Sequence, residues 1–218
     1  MLGLRSPVTR IRSKLIWLAV GVAILAPIIA AATSPLLPYR SAVYIGSGFA
    51  GVIAMALMLA QPLLAGGYLP GFSRYRALRT HLWIGSAIVA AVILHVVGLY
   101  LTSPPDVIDA LTFNSPTPFS NWGVIAMWAI VVVALMVAFR ERIGLRPRAW
   151  RVAHSCLVAI IVICTVVHAF LIEGTMEIAT KIVLSALLVI AAVKVIVDLR
   201  QRRSRKAARE AREQPASE

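Results

Sequence analysis

Six apolar runs, separated by short polar segments, set the pattern of the chain: Leu15–Ala32, Ala42–Leu64, His81–Leu101, Trp122–Phe139, Val152–Ile172 and Ile178–Leu199. Each holds 18 to 23 residues, the length that crosses about 30 Å of hydrocarbon as a helix. The pattern predicts an all-α fold. Residues 15–199 form a polytopic bundle of six transmembrane helices, flanked by a basic segment at 1–14 and a basic tail at 200–218. The first run also has the look of a signal peptide, with a basic start and Ala30-Ala31-Ala32 as a cleavage site. Its length and the apolar runs that follow favour a retained span.

Composition agrees with the pattern. Of 218 residues, 60% are hydrophobic and 14% charged, too little polar surface for a soluble domain. A net charge of +13 would suit a nucleic-acid binder, but the cations sit in short loops and one tail. That distribution points to membrane lipid and away from nucleic acid. Nineteen of the 22 Lys and Arg fall in the N-terminal segment, the loops after spans two and four, and the tail. With six spans these all lie on one side, so the positive-inside rule predicts that both termini are cytoplasmic and that the membrane is the inner (plasma) membrane. Trp17, Trp83 and Trp150 near that side and Trp122 near the other read as interfacial anchors. Cys156 and Cys164, eight residues apart on one helix, are about 12 Å apart and cannot pair with each other.

The four histidines carry the chemistry. His81 and His95 lie fourteen residues apart in span three, and His154 and His168 repeat that spacing in span five. Fourteen residues rise about 21 Å in just under four turns, so each pair shares nearly one helix face. Spans three and five run in the same direction. His81 and His154 therefore share a depth near the cytoplasmic face, and His95 and His168 share one nearer the outer face. Ionisable residues inside spans are rare and expensive, so function is the default reading. Two levels of paired neutral imidazoles are the arrangement for two bis-histidine haems. A tetrahedral zinc site would need its ligands together, and the levels are too far apart for that. Gly85 and Gly98 sit on the histidine faces, where they either admit a flat macrocycle or serve helix packing. Arg79 and Arg151, just before the inner histidines, are within reach of haem propionates and also serve as topology cations.

The loop from Thr102 to Asn121 has four prolines, two aspartates and no cation. PPDVIDALTF within it reads as a short amphipathic helix over the outer end, either a lid or a solvated connector.

Paired histidines on the third and fifth of six spans resemble the ferric-reductase-like transmembrane domain, shared by ferric reductases, NADPH oxidases and the bacterial MsrQ (YedZ) haem-binding subunits. The resemblance covers roughly residues 40–200. It is carried by RALRTHLWIG (Arg76–Gly85) with His95 and by RAWRVAHSCL (Arg148–Leu157) with His168. It implies that His81, His95, His154 and His168 are axial ligands of two b haems. The chain has no GxGxxG loop, hence no FAD or NAD(P)H site of its own. The implied activity is that of an oxidoreductase subunit fed by a separate flavin reductase or a quinol. Its acceptor on the outer face would be chelated Fe(III), dioxygen or a periplasmic redox partner. The competing reading is a haem-free transporter or channel that uses the histidines for protons or metal ions. Lys194 and Asp198, one turn apart near the end of span six, read as a structural pair.

Overall fold

A computed structural model of the chain describes residues 7–174 and 176–213. Arg5, one of the cations used above for orientation, and residues 214–218 of the tail lie outside the described residues. The described chain is helical without strands: α1 (Pro7–Ala32), a 3-10 turn (Leu37–Tyr39), α2 (Ala42–Gly66), α3 (Arg74–Thr102), α4 (Pro104–Leu111), α5 (Pro118–Ala138), α6 (Arg140–Ile143), α7 (Pro147–Leu171) and α8 (Ile178–Glu213). Six of these, α1, α2, α3, α5, α7 and α8, are long and apolar enough to cross a membrane. The chain is a multi-pass membrane protein.

The helix ends follow local chemistry. Ser41 and Ser73 cap α2 and α3, each hydroxyl accepting from a backbone N–H three residues on at 3.3 Å. Gly67 closes α2 in the left-handed region at φ 72°, where its missing Cβ removes the steric cost. Proline opens α4, α5 and α7, where an absent N–H costs nothing. The Ser73 cap and Pro147 make α3 and α7 start earlier than the apolar runs predict, inside the arginine loops. His81 and His154 thus each lie seven residues into their helices rather than at the start.

Helices α2 and α8 form the centre of the bundle. Leu184 and Leu188 of α8 are the most completely buried large side chains. They meet Met55, Ala56 and Leu59 of α2, Ile88 of α3, Ile130 of α5, and Ile161 and Val162 of α7 in one apolar core. Side chains turned outward, such as Trp83, Leu94, Ile163 and Ile190, are large, apolar and more than half exposed, as a lipid-facing surface requires. α3 lies along α2, and α7 along α5. No packing seam joins α3 to α7.

The arginine-rich ends meet. Trp17 Nε1 near the start of α1 donates to the Pro70 carbonyl in the α2–α3 loop at 3.3 Å. Tyr68 in the same loop donates its hydroxyl hydrogen to Asp198 of α8. Lys194 Nζ is 3.1 Å from the same carboxylate, the pairing the sequence predicts, and lies 5.1 Å from the centre of the Tyr68 ring. Burial first, then the bond to Asp198, raise the Tyr68 phenol above its ordinary pKa, so it stays neutral and donating. At the opposite end α4 forms over Pro104–Leu111 as expected. It rests on the ends of α3 and α5 with none of its residues buried.

Candidate functional site

The helices that do not pack on each other, α3 and α7, are the ones that carry the histidines. Each histidine is half-buried. At the arginine-rich end the rings of His81 and His154 approach edge-on, with centroids 6.3 Å apart and planes at 62°. Two imidazoles on opposite sides of one metal ion have centroids about 6 Å apart, given metal–nitrogen bonds of about 2 Å and about 1 Å from nitrogen to ring centre. Rings at the observed separation would be able to hold one metal ion between them. Fourteen residues further along the same unbroken helices lie His95 on α3 and His168 on α7.

Three of the four rings have one nitrogen already engaged. His95 Nδ1 is 2.7 Å from the Ser47 carbonyl of α2, and His168 Nδ1 is 2.8 Å from the Phe119 carbonyl of α5. His81 Nδ1 is 3.3 Å from the Gln61 carbonyl of α2. A carbonyl can only accept, so each of these Nδ1 atoms carries the proton. Nε2 is then the unprotonated nitrogen with a free lone pair. Histidines that ligate metals are held this way, the second nitrogen donating to a fixed acceptor. Among the described residues His154 has no hydrogen bond of this kind. It lies nearly parallel to Trp150, at an interplanar angle of 6°, and Arg140 covers the indole at 5.1 Å.

The neighbours of these rings include residues that the sequence did not single out. Gln61 bonds His81 twice: its carbonyl accepts from Nδ1, and its side-chain Nε2 donates to the His81 carbonyl at 3.1 Å. Its Oε1 is buried with no partner. A Cβ on Gly51 would stand 3.0 Å from His95 Nδ1, and one on Gly123 would stand 2.6 Å from His168 Cε1. Glycine inside a helix costs about 1 kcal/mol relative to alanine, and that cost was the available signal at both positions.

Gly85 and Gly98 serve packing instead. A Cβ on Gly98 would meet the Ser47 Cβ at 2.6 Å, and one on Gly85 would meet Gln61 Nε2 at 3.4 Å. Both face α2, where small residues let the two helices approach. The approach at Gly98 is what brings His95, one turn earlier, within reach of the Ser47 carbonyl. Arg79 and Arg151 are exposed at the arginine-rich end, and Arg151 lines a groove between α7 and α8 together with Arg200. Both cysteines are free thiols, Cys164 buried and Cys156 exposed. Lys181, almost fully buried in α8, donates to the Ile172 carbonyl at 2.8 Å and so caps the C-terminus of α7 just beyond His168. Among the described residues no cluster of three or more His, Cys, Asp or Glu could hold a metal ion by itself.

α3 and α7, two spans with no packing seam between them, carry two histidines each, fourteen residues apart. Residues 48–165, more than half of the chain, match the family described as "Ferric reductase like transmembrane component", and the chain belongs to that family. It is a membrane electron-transfer component, and domains of this family generally bind haem. The match includes His81, His95 and His154 and ends three residues before His168. No curated protein and no solved structure matches the chain.

Proposed function

We propose that this chain is a dihaem b-type cytochrome subunit that carries electrons across the bilayer, with its arginine-rich end in the cytoplasm. His81 and His154 hold the inner haem and His95 and His168 the outer one. Bound haem supplies reversible one-electron iron chemistry. The chain's own part is to present Nε2 of each histidine, to fix ring orientation through the Nδ1 bonds, and to keep water out with the apolar core between the levels. The observation that carries the reading is the 6.3 Å separation of the His81 and His154 rings, which matches two ligands on one metal. Unbroken helices and the absence of acidic residues between the levels favour it over a transporter.

The donor in this reading is a separate flavin reductase or a membrane quinol, and the acceptor is Fe(III), dioxygen or a periplasmic redox protein. Absorption spectra of the purified protein, oxidised and then dithionite-reduced, test the core of the reading. Two b-type haems per chain are expected, and a featureless visible spectrum overturns it. Orientation is tested separately by reporter fusions. Activity of a periplasmic reporter at Thr117 and of a cytoplasmic one at Arg146 is expected, and the reverse result refutes it.

A further inference from the structure

The two rings of the outer level rest on neighbouring helices in the same way. His95 takes the carbonyl of Ser47, and the residue four positions after Ser47 is Gly51. His168 takes the carbonyl of Phe119, and the residue four positions after Phe119 is Gly123. In an α-helix the Cα–Cβ bond tilts toward the N-terminus, so the side chain at i+4 lies over the turn that holds the carbonyl of residue i. Glycine at i+4 uncovers that carbonyl. Its oxygen already accepts the helix N–H and has a second lone pair to offer sideways.

The distances show how little room is left. A Cβ at Gly123 would be 2.6 Å from Cε1 and 2.7 Å from Nδ1 of His168, closer than non-bonded atoms approach. At Gly51 the corresponding distances to His95 are 3.1 Å and 3.0 Å. The obstacle in both cases is a ring fixed at Nδ1, not the loose end of a flexible chain. The inner level provides the contrast. His81 takes the Gln61 carbonyl, the residue at i+4 is Ala65, and the bond is the longest of the three at 3.3 Å.

We infer that Gly51 and Gly123 are positioning residues for the outer level: by leaving the Ser47 and Phe119 carbonyls uncovered they hold His95 and His168 as strong, Nδ1-bonded donors and so lower the reduction potential of the metal centre those rings ligate. The inference rests on the haem reading above. A proton drawn toward a carbonyl makes the imidazole a better electron donor through Nε2, which favours the oxidised metal. The two glycines act on one level only.

Redox titration of the full-length haem-loaded protein, followed by visible absorption and by low-temperature EPR, tests this. In Gly123→Ala the outer haem should titrate at a higher potential with altered g-values, or be lost from that level, while the inner haem is unchanged. Gly51→Ala should move the same haem in the same direction by less. Gly46→Ala, where a Cβ meets nothing within 4 Å, should move neither. The level affected is assigned by comparison with the residual spectra of His→Ala variants. Should Gly123→Ala fail to accumulate, Gly51→Ala carries the test, because its added carbon sits at the edge of tolerable contact. Unchanged potentials and g-values in Gly51→Ala or Gly123→Ala with full haem content overturn the inference, as does a shift confined to the inner haem. Absence of haem from the unsubstituted protein overturns the functional reading instead, so the two failures are distinguishable.

Discussion

The two histidine levels have the same sequence spacing and different surroundings. At the outer level both rings donate Nδ1–H to a helix carbonyl, at 2.7 and 2.8 Å, across a glycine. At the inner level His81 makes a 3.3 Å bond beside an alanine, and His154 lies parallel to the Trp150 indole, with no such bond among the described residues. The outer rings are fixed in tautomer and rotation by the main chain. The inner rings are held less closely: His81 by the longer bond to the Gln61 main-chain carbonyl, and His154 by the parallel Trp150 side chain under Arg140. Main-chain acceptors are part of a packed helix and cannot swing away, whereas a side chain such as Trp150 is adjustable and a longer bond such as that of His81 is weaker. The inner level, at the proposed donor side, is therefore the softer of the two, and substitutions should tune it without dismantling the bundle.

The largest expected effect comes from removing ligands in chosen pairs. His81→Ala and His154→Ala should each leave one haem per chain with the same residual spectrum, and His95→Ala and His168→Ala should share a different one. The double variant His81→Ala/His168→Ala takes one ligand from each level and should bind essentially no haem. Retention of one haem by that variant would mean diagonal pairing and would remove the basis for comparing levels at all.

Next in size is Trp150→Leu. Among the described residues His154 has no hydrogen bond to fall back on, so loss of the flanking indole should weaken retention of the inner haem by roughly 10- to 100-fold, the usual consequence of removing a ligand's support. Measured haem release from the outer level should not change. Smaller again is Gln61→Leu, which deletes the donor to the His81 carbonyl and the buried, unpartnered Oε1 but keeps the backbone acceptor. A net change in stability of about 1 kcal/mol or less is expected, seen in thermal unfolding, with a potential shift at the inner haem alone. Ala65→Gly makes the inner register resemble the outer one. The inner potential should fall, and a rise would contradict the role assigned to the residue at i+4.

The smallest effect concerns the outer end of α8. Glu177 accepts from the Ala179 and Thr180 N–H groups, both at 2.9 Å, and these bonds hold its carboxyl below the usual range. A folded-state pKa below the unfolded one means that the cap stabilises fully above the unfolded value of about 4.3 and is lost as pH falls through the lower folded value. Glu177→Gln should flatten that acid dependence in thermal unfolding between about pH 5 and pH 3. An unchanged acid profile would mean that the cap contributes nothing to the outer end.

Much of this was legible from the chain alone, for a physical reason. A span is a matter of length and hydropathy, and a helix converts spacing into depth at a fixed rise, so the six crossings followed from runs of residues. So did the positions of His81, His95, His154 and His168 along α3 and α7. The structure adds that the ring pair at the arginine-rich end does meet, with both helices starting earlier because Ser73 and Pro147 initiate them. The Lys194–Asp198 pair was equally visible, being one turn apart, but its third member Tyr68 is 130 positions away from Asp198. What the sequence left undecided is how neighbouring helices are rotated and slid against α3 and α7. Gly85 and Gly98 share a face with the histidines by periodicity, yet that face is wide enough for α2 to cover them. Gly51 and Gly123, on other helices, prove to be the ones beneath the rings. Whether a carbonyl four residues before a glycine is offered to a ring depends on register between helices far apart in the chain. Only side-chain packing of the whole bundle sets that register, so the histidine spacing was written in the local pattern and the contacts around the rings in the tertiary structure.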